Sequence, residues 1–367
     1  MLEHGGRLHA AAQKYGIPES EWLDLSTGIN PVGYPVLALP LDAWRRLPDG
    51  DDALRAAAAR YYGSESVLPV AGTQAAIQAL PRLRTPSRVA VLSPTYGEHA
   101  HVWRRSGHVV RELAADEIEP ALDQLDVVVL ANPNNPTGLC FARDTLARWR
   151  GRLDDRGGWL VVDEAFMDAT PEASLMPQAT LPGFIVLRSL GKFFGLAGAR
   201  VGFVFSSADL RLALEKELGP WAVSGPAQQL ATQALADTAW QETARTQLTA
   251  AGARLARLLD ERGLAPAGGT ALFQWVRTPH AATLHEQLAR RGILTRLFSD
   301  AQGRASVVGG TTAGTREVEQ RLERLPRMPG TTEPTSLRFG LPGTQTQWER
   351  LAHVLHEVLT DATHEMV

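Results

Sequence analysis

The run SLGKFFGLAGAR, Ser189 to Arg200, sets one lysine among apolar and glycine residues and follows it eight positions later with an arginine. Of the 37 basic residues in the chain only three, Lys14, Lys192 and Lys216, are lysines. Lys14 and Lys216 lie in charged, helix-like segments, HAAAQKYG and RLALEKELG, where a solvated cation needs no further reason. Lys192 has no such surroundings. An amine can shed its proton when desolvated and condense with a carbonyl to a Schiff base, whereas a guanidinium stays protonated, so a lysine kept here points to covalent chemistry. The competing reading is a surface lysine whose stem covers apolar neighbours.

Other polar residues stand out against the same kind of background. Asp163 closes the apolar run GWLVVD, and a carboxylate there needs a cation or a donor because an unpaired buried charge is very costly. Its alternative role is to cap a helix beginning at EAF. Gly72, Thr73 and Gln74 follow SVLPV and open TQAAIQAL. A glycine and a hydroxyl at a helix start make an anion site from free N–H groups, although most such glycines only form a tight turn. Arg200 follows the small-residue run GLAGA, which lets backbone approach a ligand, and its fork suits a phosphate as well as an ordinary ion pair. One ligand answers all of these: a carbonyl for Lys192, a ring-nitrogen cation for Asp163, and a phosphate for Gly72, Thr73, Gln74, Ser189 and Arg200. Pyridoxal 5'-phosphate has those three handles. Tyr96, in PTYG, is placed to stack on its ring, and Asn135 to hydrogen-bond the ring hydroxyl.

The elements that must present these residues can be read from the apolar runs. RVAVL precedes SPTYG, DVVVLA precedes NPNNPTG, GWLVVD precedes EAF, and FIVLR precedes SLGK, with helix-period segments such as DTLARWRGRLDDRG between them. Continuous apolar strands alternating with helices predict an α/β fold with a mainly parallel sheet covered on both faces. Ligands bind beyond the carboxyl ends of such strands, which is where Tyr96, Asn132 to Asn135, Asp163 and Ser189 to Lys192 fall. A single helical stretch is predicted from about Pro226 to Arg262, leading to a smaller α+β unit with TALFQWVRT, ILTRLF and SLRFGL as strands and QTQWERLAHVLHEVL as a closing amphipathic helix.

Composition narrows the function. The chain has 367 residues, 44% hydrophobic, and a formal net charge of -3, with no basic run interleaved with aromatics, so nucleic acid is not an expected partner. One cysteine, Cys140, excludes an intramolecular disulfide and a cysteine-rich metal site; it is expected to be a small buried hydrophobe. No stretch reaches about 18 unbroken apolar residues, and the opening has no signal-peptide core, so a cytoplasmic protein without membrane contact is expected. The ten histidines show no metal spacing; His99 and His101, and His353 and His356, are read as surface or core residues, and the nine tryptophans as packing.

NPNNPTG, DEAF, and SLGK with arginine eight residues beyond its lysine resemble the fold-type I pyridoxal-phosphate enzymes, near the histidinol-phosphate aminotransferases. The opening LEHGGRLHAAAQKYGIPESEWLDLSTGINP and the closing SLRFGLP are similar to the threonine-phosphate decarboxylases of cobalamin synthesis. The resemblance covers essentially the whole chain. It implies a large domain built on a mainly parallel seven-stranded sheet between helices, a smaller α+β domain, a homodimer, and pyridoxal phosphate as cofactor. It also implies decarboxylation of L-threonine O-3-phosphate to (R)-1-amino-2-propanol O-2-phosphate. In that reading Lys192 bonds the cofactor and Asp163 pairs with its ring nitrogen, while Asn135 reaches the ring hydroxyl. Gly72, Thr73, Ser189 and Arg200 hold the cofactor phosphate. Arg338 grips the substrate carboxylate, and His4, Gly5, Gly6 and Asn30 lie near the substrate phosphate. The implied division is an arm over residues 1–35, a cofactor domain over 36–254 and a small domain over 255–367.

Three positions depart from the aminotransferase pattern: Phe166 stands where tyrosine is usual, Gly191 where serine is, and Leu47 where a partner-chain loop carries tyrosine. Asp300 to Thr335 is longer than the family needs and is expected to be a loop with one short helix, TREVEQRLERL. Two rivals stay open: an aminotransferase using the same residues, and a non-catalytic regulator of the same fold, for which the chain has no basic DNA-binding helix. Residues alone do not separate decarboxylation from transamination, because the choice lies in which Cα bond stands perpendicular to the cofactor ring.

Overall fold

The computed structural model describes residues 4–48, 50–176, 179–299 and 334–360. They form two compact units. The larger consists of Gly33–Asn135 and Leu139–Thr246; the smaller is assembled from Met1–Val32, Pro136–Gly138 and Gln247–Val367.

After a short strand of the smaller unit, β1 (Leu23–Asp24), the larger unit supplies β2 (Val67–Val70), β3 (Arg88–Leu92), β4 (Val109–Leu113), β5 (Val127–Ala131), β6 (Trp159–Asp163), β7 (Phe184–Ser189) and β8 (Gly202–Phe205). They make one sheet in the order β2-β8-β7-β6-β5-β3-β4. The pairs from β4 through β7 are parallel, and β8 runs antiparallel to both its neighbours. The sheet is thus mainly parallel and seven-stranded, as expected. Every residue of β5 and β7 is buried, which is why these strands read as unbroken β-branched runs rather than as alternating ones. Helices Thr73–Ala79 and Glu98–Arg105 cover one face, packing Ala76, Ile77, Ala100 and Trp103 onto Val91, Val129, Val161 and Leu187.

The single helix expected over Pro226 to Arg262 is two, Gly225–Ala236 and Thr238–Asp260. Asp237 breaks it at φ -88° and ψ 80°, and its Oδ1 accepts the Trp240 N–H at 3.0 Å, capping the second helix.

The smaller unit continues with β9 (Gly268–Thr270), β10 (Phe273–Arg277), β11 (Ile293–Leu294), β12 (Arg296–Ser299) and β13 (Pro334–Gly340). β12, β13, β10 and β9 form an antiparallel sheet, while β1 and β11 pair in parallel. ILTRLF is therefore divided between two sheets. The segment Pro136–Gly138 reaches this unit through a glycine seam: a Cβ on Gly138 would meet the Gly269 carbonyl at 2.2 Å, and one on Gly268 the Thr137 carbonyl at 2.1 Å. The closing helix, Gln345–Thr360, buries Trp348, Leu351, Val354, Leu355, Val358 and Leu359 at the expected amphipathic spacing. The expected loop and helix over 300–335 fall outside the described residues except at Pro334 and Thr335, which open β13. No helix among the described residues is long and apolar enough to cross a membrane.

Candidate active site

In the larger unit the buried Asp163 ends β6 and is held from two sides. Its Oδ1 accepts the Ala165 N–H at 3.0 Å, and its Oδ2 lies 3.2 Å from His99 Nε2. The capping alternative is not realised, since the next helical turn is Met167–Ala169 with Phe166 at its N-cap; one carboxylate oxygen supports the turn at Ala165 while the other meets an imidazole. His99, 1% exposed, is a core residue, one of the two expected alternatives, and adds a contact to Asp163 that was not expected. Its ring stands edge-on to Tyr96, 5.9 Å between centroids. The available signal was spacing: His99 lies three residues beyond the expected stacking aromatic, one helical turn on.

Lys192 is half-buried on the loop after β7, followed by the buried Phe193 and Phe194. Its Nζ lies 5.6 Å from the centroid of the buried Phe166 ring, so Phe166 presents an aromatic face to the amine. Gly191 also has a physical reason. A Cβ there would sit 3.3 Å from both Ser189 Oγ and Ala197 Cα, and Ser189 Oγ accepts the Gly191 N–H at 3.1 Å. A serine at position 191 would crowd the hydroxyl beside it.

Gly72 and Arg200 test whether the residues suit a cofactor phosphate. Gly72 adopts φ 71° before helix Thr73–Ala79, and a Cβ on it would collide with Arg200 Nη2 at 2.5 Å. Arg200 itself is held at φ 54°, the left-handed region that non-glycine residues seldom occupy. Glycine is what lets the guanidinium lie against this turn. A Cβ on Gly202 would likewise meet the Thr73 backbone nitrogen at 2.6 Å. The result is an exposed cation beside a bare backbone turn, which fits an anion. The Gln74 side chain instead bridges Tyr96 and Glu98: it accepts from the Tyr96 hydroxyl at 3.2 Å and donates to Glu98 Oε2 at 3.0 Å.

The asparagine loop divides its labour. Asn132 Oδ1 accepts the Phe141 N–H at 2.7 Å, and Asn134 Nδ2 donates to the Pro94 carbonyl at 2.9 Å while its Oδ1 accepts from Thr95 Oγ1 at 2.6 Å. These two tie down the loop that leads to Asn135, which is half-buried. The expectation that Cys140 is buried is corrected: it is exposed beyond this loop. Trp44 and Trp221, 67% and 59% exposed, likewise depart from a packing role.

In the smaller unit Ser26 gathers several of the predicted substrate residues. The Gly6 N–H donates to its Oγ at 2.8 Å, and a Cβ on Gly5 would strike its carbonyl at 2.3 Å. Arg338 Nη2 donates to that same carbonyl at 2.6 Å. Asn30 is buried and turns the chain by accepting the Val32 N–H at 2.9 Å; His4 is half-buried. Ser26 and Arg296 were not found from sequence. Arg296 is the cross-strand partner of Arg338, and both guanidinium groups lie beside Phe298, at 5.4 and 5.8 Å from its centroid. Burial first, and Arg296 second, push Arg338 down to about 9 against the opposing effect of Asp24. The strand register thus sets two arginines side by side, Arg338 buried and Arg296 half-buried. Among the described residues no cluster of three or more His, Cys, Asp or Glu is arranged to hold a metal.

Residues 44–322 match the profile of the family described as aminotransferase class I and II. The chain is 52% identical over 351 residues to a threonine-phosphate decarboxylase of Pseudomonas aeruginosa, covering 96% of each chain. It is 43% identical to a threonine-phosphate decarboxylase of a Sinorhizobium species, covering 88% of this chain and 98% of that one. A histidinol-phosphate aminotransferase of Vibrio cholerae is 33% identical over 66% of this chain and 75% of its own. The solved histidinol-phosphate aminotransferase of Clostridium acetobutylicum superposes with a TM-score of 0.75 at 18% identity, covering 92% of this chain and 99% of that one, a likeness of fold.

Proposed function

The chain belongs to the aminotransferase class I and II family, and from that premise we propose that it is a pyridoxal-phosphate-dependent decarboxylase of L-threonine O-3-phosphate. The product is (R)-1-amino-2-propanol O-2-phosphate, the aminopropanol linker of cobalamin. The observation that carries the choice of reaction is the near-complete, 52% identical match to a threonine-phosphate decarboxylase; the aminotransferase likeness is weaker and shorter.

We assign the cofactor to the larger unit. Asp163, fixed by His99, meets the ring nitrogen; Gly72, Thr73, Ser189 and Arg200 take the phosphate; Tyr96 and Asn135 take the ring and its hydroxyl; and Lys192 anchors the carbonyl carbon. Gln74 supports Tyr96. When bound, pyridoxal phosphate supplies an electron-withdrawing ring that stabilises the electron pair left on Cα as CO2 departs. Asp163 keeps a proton on the ring nitrogen by charge, and its contact with His99 keeps the carboxylate oriented. Lys192 holds a proton at Nζ for return to Cα, so the bond to the carboxylate is replaced by a bond to hydrogen.

To the smaller unit we assign the substrate. Arg338 grips the carboxylate as a cation held by the Ser26 carbonyl, and Arg296, with His4, Gly5, Gly6 and Asn30, serves the phosphate. The form we propose is a cytoplasmic homodimer. The dimer is supported by the exposed apolar side chains of Val36, Leu37, Leu41, Trp44 and Leu47, each 57–68% exposed within one short segment.

The test is incubation of the purified protein with threonine phosphate, with and without 2-oxoglutarate. CO2 and aminopropanol phosphate form without the oxo acid. Transfer of nitrogen to 2-oxoglutarate in place of CO2 release would assign it to the aminotransferases instead.

A further inference from the structure

Successive residues of a strand point to opposite faces, so the strand ends that present Asp163 and Ser189 on one face present Glu164 and Arg188 on the other. Asp163 is in register with Leu187, and the Glu164 N–H donates to the Leu187 carbonyl at 2.9 Å. Glu164 thereby stands level with Arg188. Arg188 Nη1 donates to Glu164 Oε2 at 2.6 Å and to Ser174 Oγ at 3.2 Å, and its Nη2 donates to Asp168 Oδ1 at 2.6 Å. Glu164 also accepts the Ser174 hydroxyl at 2.6 Å and the Leu175 N–H at 2.8 Å. Tyr62 closes the back of the group, with its ring centroid 4.7 Å from the guanidinium carbon. Arg245 extends it: its Nε donates to the Asp168 carbonyl at 3.0 Å, and its guanidinium lies 5.4 Å from the ring of Phe193, the residue after Lys192.

Both carboxylates and the guanidinium are buried. Burial works against the charge on Arg188, yet Asp168 and Glu164 more than offset it and hold the group above the ordinary arginine range. A buried ion triple is a poor source of net stability compared with apolar packing, but a hydrogen-bonded one fixes the geometry of whatever carries it. Here the members are sequence neighbours of site residues. Glu164 follows Asp163, Arg188 precedes Ser189, and Asp168 lies two residues past Phe166.

We propose that Arg188 is a positioning residue, a clamp on the far face of the sheet that fixes the spacing of Asp163 and Ser189 and the placement of Phe166. The planar fork is the essential part, because it joins the end of β6, the end of β7 and the turn Met167–Ala169 through one rigid group. The clamp rests on the decarboxylase reading only for the identity of the cofactor whose ring nitrogen and phosphate those residues meet.

Arg188→Lys tests it by keeping a cation without the fork. The apo-protein is expected to fold by thermal melting and to bind pyridoxal phosphate about tenfold more weakly, and the pH titration of the bound cofactor's visible absorption shifts from that of the unaltered protein. In turnover, kcat falls by a larger factor than KM changes. Asp168→Asn, of equal size and with one acceptor retained, gives a smaller change in the same direction and decides the question should the lysine variant not fold. A folded variant with unaltered cofactor affinity and titration, differing only in melting temperature, overturns the proposal. If the unaltered protein releases no CO2 from threonine phosphate while Arg188→Lys still weakens cofactor binding, the reaction assignment fails and the clamp stands.

Discussion

Arg188 in the larger unit and Arg338 in the smaller are almost equally buried, 1% and 5% exposed, yet their surroundings push them in opposite directions. Arg188 lies between two carboxylates and is held above the usual arginine range. Arg338 lies beside Arg296 and two aromatic rings and is pushed down to about 9. The difference separates two uses of the same side chain. A buried guanidinium between carboxylates is stabilised in its charged form, whereas one set beside a second cation is pushed toward losing its charge.

Stability should distinguish them most strongly. Arg188→Met leaves Glu164 and Asp168 buried against an apolar side chain and is expected to cost about 3–5 kcal/mol in urea unfolding at neutral pH. A loss below about 1 kcal/mol would mean that the carboxylates find other partners and that the two arginines differ less than their neighbours imply. Arg338→Gln is expected to leave the melting temperature unchanged or raised, because it removes a desolvated cation, while kcat/KM for threonine phosphate falls about 100-fold with the loss of a charged hydrogen bond. Equal loss of stability in both variants would erase the contrast.

The smallest effect concerns pH. Burial and Arg296 lower Arg338 to about 9, far below the range in which a guanidinium ordinarily keeps its proton, so kcat/KM is expected to decline above that pH. Stability moves the other way: the unfolded chain still binds that proton, and the desolvation penalty present below about pH 9 lifts above it. Arg296→Gln removes a repelling neighbour and is expected to shift the alkaline decline upward by about half a unit. An unmoved decline would show that Arg296 acts on the substrate without acting on Arg338.

Sequence made the larger unit legible because its central strands are buried on both faces, so DVVVLA, WLVVD and FIVLR could hardly be anything else. Asp163 and Lys192 were found for the same reason, as polar exceptions where apolar residues are the rule. The residues that escaped notice depend on pairings distant in the chain. His99 gains its role from the packing of one helix against β6, and Arg296 from lying opposite Arg338 across two strands. Arg188 sits inside FIVLRS, where one charge looks like an ordinary strand residue until the opposite face of the sheet is known. Asp237 splits a helix whose composition is helical on both sides, and the split is set by one capping oxygen.

The glycine seam between Thr137–Gly138 and β9 bears on modularity. The chain leaves the larger unit after Asn135, spends three residues in the smaller one, and returns at Leu139. Strand β1, the pairing partner of β11 among the described residues, comes from near the other end of the sequence. The smaller unit is therefore no portable cassette: a linear fragment containing its last hundred residues would lack both the strand and the loop that complete it. Recombination between relatives can exchange it whole only by carrying three separate stretches of gene together.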